Sequence, residues 1–254
     1  MKTEQPVDIK REDYKPAPYR VSKTELEFHL EPTATRVYAT LHFERQSETN
    51  DPVVLNGEHL KLLDIQLDGR PLGKDAYELS EDKLIIKHPP PVRFRLDTAV
   101  EINPQANVAL SGLYMSDGMF CTQCEAEGFR RITWYLDRPD TMAPFVTRIE
   151  ADRSAYPVLL ANGNLIEAGD LPGGRHFAIW QDPFKKPAYL FALVAGDLGH
   201  IEDRFVTMSG RTVTLRVYVD PGNEPRAAYA MDALKRSMKW DEEAYGREYD
   251  LDIF

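Results

Sequence analysis

The sequence predicts a mostly β chain: a large amino-terminal β-saddle or sandwich, followed near the carboxyl end by a short stretch that mixes strand and helix. Three observations carry this expectation. Apolar residues alternate with a period of two through most of the chain, turn chemistry recurs between the alternating runs, and a helical period occurs in one place only.

Size and charge set the outer limits. The 254 residues suffice for one large all-β domain, or for one domain plus part of another. Hydrophobic residues make up 43% and charged residues 28%, an ordinary globular balance. The net charge is −10, and the Lys and Arg residues are scattered among carboxylates. That acidity argues against nucleic acid or an anionic membrane as partner, since both require a basic patch. Residues 1–19 are polar, without the apolar core of a signal peptide, and no apolar run reaches bilayer length. The two cysteines, Cys121 and Cys124, offer no disulfide framework of the secreted type. A soluble, reducing, cytoplasmic setting is the expectation.

The elements follow in order. Residues 1–18 are a polar lead-in that ends in Lys15-Pro16-Ala17-Pro18, which favours extended backbone. From Tyr19 the period is two: Leu26, Phe28 and Leu30 share a face, as do Val37, Ala39, Leu41 and Phe43. Further strands are expected over 53–55, 60–67, 77–79, 84–86 and 93–102. Asn56-Gly57, Asp68-Gly69-Arg70-Pro71 and Pro89-Pro90-Pro91 punctuate them. Beyond a central loop, strands are expected over 148–151, 158–161, 177–180 and 189–195, with Asn162-Gly163-Asn164 as a hairpin turn. Two more, 202–208 and 212–219, flank Ser209-Gly210.

The helical period then begins. Ala227, Ala230, Met231, Leu234 and Met238 recur at spacings of three and four, with Asn223 as a candidate cap and Pro225 in the first turn. The chain ends on Asp252-Ile253-Phe254, the opening of an apolar strand. The expectation is therefore a first domain over 1–197 and the start of a second over 198–254, cut short.

Candidate chemistry is sparse. His29, His42, His59, His88, His176 and His200 are isolated in sequence, and no two stand four apart as a zinc-gripping helix requires. Cys121-Thr122-Gln123-Cys124 has redox spacing, or the spacing of half a zinc ribbon. It lies between β-type segments and has no second pair, so two buried, inert thiols are the better reading. The next residues, Glu125-Ala126-Glu127-Gly128-Phe129-Arg130, set two carboxylates in a loop. These suit general acid–base work, an anchor for a cation, or a merely solvated acidic loop.

Residues 121–130 (Cys-Thr-Gln-Cys-Glu-Ala-Glu-Gly-Phe-Arg) and 132–140 (Ile-Thr-Trp-Tyr-Leu-Asp-Arg-Pro-Asp) together resemble the signature of bacterial aminopeptidase N-type zinc metallopeptidases. Blocks at 159–164, 180–184, 186–197 and 237–243 extend the resemblance in the same order, from about Tyr19 onward. It implies an amino-terminal β-saddle followed by the start of a thermolysin-like α/β catalytic domain. The enzymes it resembles remove single residues from peptide amino termini, with zinc as cofactor. Their zinc motif finds no match here, so this chain by itself is expected to bind no metal, to be inactive, and to pack on a catalytic domain it does not contain.

The resemblance also implies a role for the loop. The residue matching Glu125 holds the α-ammonium of a peptide substrate, and the residue matching Gln123 lies beside it. The Glu125–Ala126 peptide is expected to be cis, Glu127 carries no assigned role, and residues 137–140 are expected to brace the loop. Two other readings stay open: a freestanding β-sandwich binding module without catalysis, and a thiol redox or metal-binding protein resting on Cys121 and Cys124.

Overall fold

The computed structural model describes residues 10–47 and 51–254. Residues 1–9 of the lead-in lie outside the described residues; its remainder makes a short 3-10 turn, Arg11–Asp13, and then runs extended. The strands that follow are β1 (Tyr19–His29), β2 (Thr35–Arg45), β3 (Val53–Asn56), β4 (Lys61–Leu67), β5 (Arg70–Pro71) and β6 (Tyr77–Leu79). Next come β7 (Lys83–Ile86), β8 (Arg93–Ile102), β9 (Gly112–Ser116), β10 (Met119–Gln123), β11 (Met142–Asp152) and β12 (Val158–Ala161). The last are β13 (Asn164–Leu171), β14 (Arg175–Pro187), β15 (Leu193–Gly196), β16 (Gly199–Val206) and β17 (Thr212–Val219), before the helix α1 (Ala228–Tyr245).

One eight-stranded sheet dominates, in the order β13-β14-β11-β1-β2-β8-β4-β5. Its neighbours pair antiparallel except β1 with β11. A four-stranded sheet, β12-β15-β10-β9, and a three-stranded sheet, β3-β7-β6, share one core with it. The period-two pattern is what makes this possible, because each strand turns one face inward. On β2, Val37, Ala39, Leu41 and Phe43 are buried, while Arg36 and Tyr38 are exposed. On β1 the phase slips at a bulge between Val21 and Lys23. Tyr19 and Val21 are buried before it and Leu26 and Phe28 after it, so the extra residue keeps the apolar side facing inward.

The carboxyl-terminal elements have a core of their own. β16 and β17 form a separate hairpin, and Val213 and Leu215 pack against Met231 and Met238 of α1. Of the stripe read from sequence, Ala227, Met231 and Met238 are buried and Leu234 packs partly buried beside them, whereas Ala230 is exposed. Asn223 makes no side-chain cap: a 3-10 turn, Glu224–Ala227, intervenes, and the Asn223 side-chain oxygen accepts from the Arg226 guanidinium instead. At the other end Gly246, at φ 61°, terminates the helix in the left-handed conformation.

Two other expectations need correction. Asn162-Gly163-Asn164 is not a hairpin turn, because β12 pairs with β15 and β13 pairs with β14. The segment is a corner where the chain changes sheets, and Gly163 permits it: a Cβ there would lie 2.2 Å from the Gln181 carbonyl oxygen. The run expected as a strand over 189–195 is split, with a 3-10 turn, Ala188–Leu190, preceding the shorter β15.

Candidate substrate-anchoring loop

The β9–β10 hairpin, absent from the sequence expectations, mounts the candidate loop. Its turn is Asp117-Gly118, both at positive φ (47° and 80°), as a two-residue hairpin turn requires. That Asp-Gly pair was the available signal. Gln123 closes β10 opposite Gly112. Gly112 must be glycine: it sits at φ +76°, and a Cβ would lie 2.6 Å from the Cβ of Arg131. The chain then turns through residues 124–128, closed by the Gly128 N–H donating to the Cys124 carbonyl at 2.8 Å. Gly128 is equally constrained, since a Cβ on it would stand 2.4 Å from the Gln123 carbonyl oxygen. The Glu125–Ala126 peptide is cis.

Behind the turn the mount is dense. Phe129 is fully buried, with its ring centroid 4.8 Å from that of Tyr135 and 5.3 Å from that of Phe191, both edge-on. Arg131 pairs with Glu58 at 2.9 Å, and the Glu58 N–H donates to the Arg130 carbonyl at 2.9 Å. Arg130 is held most firmly. Its backbone N–H and Nε both donate to Asp137 Oδ2, at 3.1 and 2.9 Å, and its Nη2 donates to the Asp137 carbonyl oxygen at 3.2 Å. Burial pushes the Asp137 carboxyl above its ordinary value, although Arg130 works against that shift.

The tip presents what the mount holds. Gln123, Glu125, Ala126 and Glu127 are exposed. Gln123 and Glu125 come together, because Gln123 Nε2 donates to the Glu125 carbonyl oxygen at 3.2 Å. Among the described residues the Glu125 carboxylate has no ion-pair or hydrogen-bond partner, whereas Glu127 reaches back to Arg130 Nη1 at 3.1 Å. The two carboxylates are therefore unlike: one is free to receive a cation and the other is committed to a guanidinium. An acid–base pair would want both facing one substrate. Of the residues expected to brace the loop, Asp137 does so through Arg130. Arg138 and Asp140 instead grip the lead-in: Arg138 Nη2 donates to the Lys15 carbonyl and Tyr14 Oη to Asp140, at 2.8 and 3.0 Å.

The thiols differ from one another. Cys124 is buried and Cys121 only half-buried, which corrects the expectation that both are enclosed. Burial raises both, and burial together with nearby Asp137 pushes Cys124 up to about 12. Redox cysteines are shifted the other way.

For a metal, one group among the described residues brings three donors together: Glu27, His29 and Glu150 on the outer face of the large sheet. Its geometry is that of an ion-pair ladder, with His29 bonded to Glu27 at 2.6 Å and Glu150 holding Arg148 at 2.6 Å. A guanidinium in that position opposes a divalent ion, so the donor set does not fit a tetrahedral zinc site.

The described residues thus form a mostly β domain that offers, from a braced cis-peptide loop, a carboxylate without a partner among the described residues. The sequence profile of the peptidase M1 N-terminal domain matches residues 14–190, and the chain belongs to that family. It is 58% identical over its whole length to the aminopeptidase N of Caulobacter vibrioides, and 50% identical over 99% of its length to that of Escherichia coli. In each case the chain spans 29% of the relative's length. Among solved structures, Legionella pneumophila aminopeptidase A in complex with aspartic acid superposes with a TM-score of 0.89 at 36% identity, covering 95% of this chain and 29% of that one. The M1 zinc metallopeptidase of Deinococcus radiodurans shares the fold, with a TM-score of 0.80 at 17% identity over 94% of this chain and 56% of that one.

Proposed function

We propose that this chain serves as the amino-terminal portion of a longer zinc-dependent aminopeptidase, which removes single residues from peptides with a free amino terminus. In this reading Glu125 receives the substrate's α-ammonium and Gln123 stands beside it. The observation that carries the reading is the exposed Glu125 carboxylate, without a partner among the described residues, on a loop whose every other fixed point is braced. An exopeptidase must count one residue from the amino terminus. A charge-assisted bond from the ammonium to a carboxylate on a rigid mount sets that register.

In this reading the zinc is held beyond this chain, whose own sequence offers no His-Glu-x-x-His pair. The chain's own contribution is to bind and orient. The separate core beneath α1 supports a boundary near Leu198, with 1–197 as the β domain and 198–254 as the opening of the catalytic domain on which it packs. The net charge of −10 supports peptide rather than nucleic acid or membrane partners, and the cysteine usage a cytoplasmic setting.

The test compares this chain with a longer protein that continues past it into a zinc-binding portion. The longer protein, loaded with zinc, is expected to release single amino acids from peptide amino termini. The 254-residue chain is expected to release none, even with zinc added. Hydrolysis by the chain alone, or none by the longer protein, would overturn the reading; the second result would favour a binding module.

A further inference from the structure

We propose that Arg130 is a positioning residue for the substrate anchor: it ties the tip of the loop, through Glu127, to the buried Asp137, and so fixes where the Glu125 carboxylate stands. The inference rests on the anchor reading of Glu125.

The geometry is a three-way clamp. One edge of the Arg130 side chain faces Asp137, with Nε on the carboxylate and Nη2 on the backbone carbonyl. The remaining Nη1 reaches Glu127 Oε2 at 3.1 Å. The three groups differ greatly in exposure: the Asp137 side chain is 3% exposed, that of Arg130 15% and that of Glu127 66%. Arg130 therefore joins a fixed point in the interior to a residue at the solvent-facing tip, two positions from Glu125. Among the described residues no other side chain outside the loop is bonded to residues 125–127. The other restraints act at the base: the Gly128 to Cys124 bond and the Arg131 to Glu58 pair.

Physical chemistry says what the clamp would do. An isolated exposed ion pair contributes little to stability, so the Glu127 contact is no device for holding the fold. A guanidinium already fixed by two bonds along one edge has surrendered its rotamer freedom, and a further partner is then held at small further entropic cost. The gain is in the placement of the anchor. When a group that orients a substrate shifts slightly, the rate falls by more than the strength of the broken ion pair alone would suggest.

The experiment is a double-mutant cycle in the longer, zinc-loaded protein, using an aminoacyl p-nitroanilide. Glu127→Gln removes the exposed arm and leaves the buried pair untouched; Arg130→Lys keeps the charge but not the fork. Each is expected to lower kcat/KM by on the order of 10-fold, with zinc content unchanged. Neither is expected to lower it further once Glu125 is Gln, because the clamp acts only through that carboxylate. Folding is no obstacle for Glu127→Gln, since its side chain is exposed. Losses that simply add to that of Glu125→Gln, or normal kinetics for Glu127→Gln, would overturn the proposal and leave the anchor standing. If Glu125→Gln alone has normal kinetics, the anchor reading fails and the proposal with it.

Discussion

Gly57 lies flat against the indole of Trp134, so close that a Cβ on it would stand 2.2 Å from two of the ring carbons. Trp134 is almost wholly buried, and the Asn56–Tyr135 bridge beside it fixes both backbones. Neither partner can retreat. Gly57→Ala is therefore expected to destabilise the chain by about 1–3 kcal/mol, the ordinary range for overpacking a filled core. Urea unfolding of the two proteins measures the difference, and a change near zero would show that the indole can move.

Lys186 and Asp182 form a buried ion pair at 2.9 Å, with the Lys186 ammonium 4.2 Å from the centre of the Phe145 ring. Burial lowers the Lys186 pKa, and Asp182 opposes the shift. Removing one partner strands the other in the interior. Asp182→Ala is expected to destabilise by about 3–5 kcal/mol, whereas an apolar double replacement, Asp182→Leu with Lys186→Met, should recover most of that loss. Equal stability of the single variant and the parent would contradict the pairing.

The two thiols should be separable by chemistry. Near neutral pH the buried Cys124, raised to about 12, stays protonated, and the half-buried Cys121 meets solvent more readily. A thiol reagent is expected to modify Cys121 first and Cys124 only after denaturation. Rapid modification of both in the native chain would revive the redox reading.

Asp140 supplies a pH dependence. The hydrogen bond from Arg138 holds its carboxyl below the ordinary range against the opposing effect of burial, and Tyr14 adds to the lowering. A carboxyl depressed on folding stabilises at pH values above its unfolded pKa of about 3.9, and that contribution is lost as pH falls through the folded value. The advantage of the parent over Asp140→Asn should therefore be level above about pH 5 and shrink as pH falls through about 3.9 and below. The pair is largely exposed, so the effect is small and screened by salt. A gap that widens on acidification has the wrong sign.

Much of the fold was legible because β1, β2 and the first half of β8 bury one side, which writes alternation directly into the sequence; in β8 the pattern lapses at Thr98-Ala99-Val100, all buried. Sheet partnership was not legible. Asn162-Gly163 has hairpin chemistry, but β12 pairs with the distant β15 and β13 with the next strand, β14, a choice that only the tertiary structure makes. The β9–β10 hairpin was missed although Asp117-Gly118 announces it, because Met115 and Met119 blur the alternation on either side. In the site, Gln123 and Glu125 were found through the resemblance. Composition alone favoured a merely solvated acidic loop. The asymmetry between Glu125 and Glu127 could not be read at all: it depends on Arg130 facing Asp137, a contact made by the path of the chain rather than by any motif.

The most direct test of the account is the kinetics of Glu125→Gln in the longer, zinc-loaded protein, with a substrate bearing a free α-amino group. The amide keeps the shape and an acceptor but loses the charge-assisted bond, a difference of about 1.5–3 kcal/mol. The account predicts a fall in kcat/KM of roughly 10- to 150-fold with zinc content intact. Near-normal kinetics would contradict it.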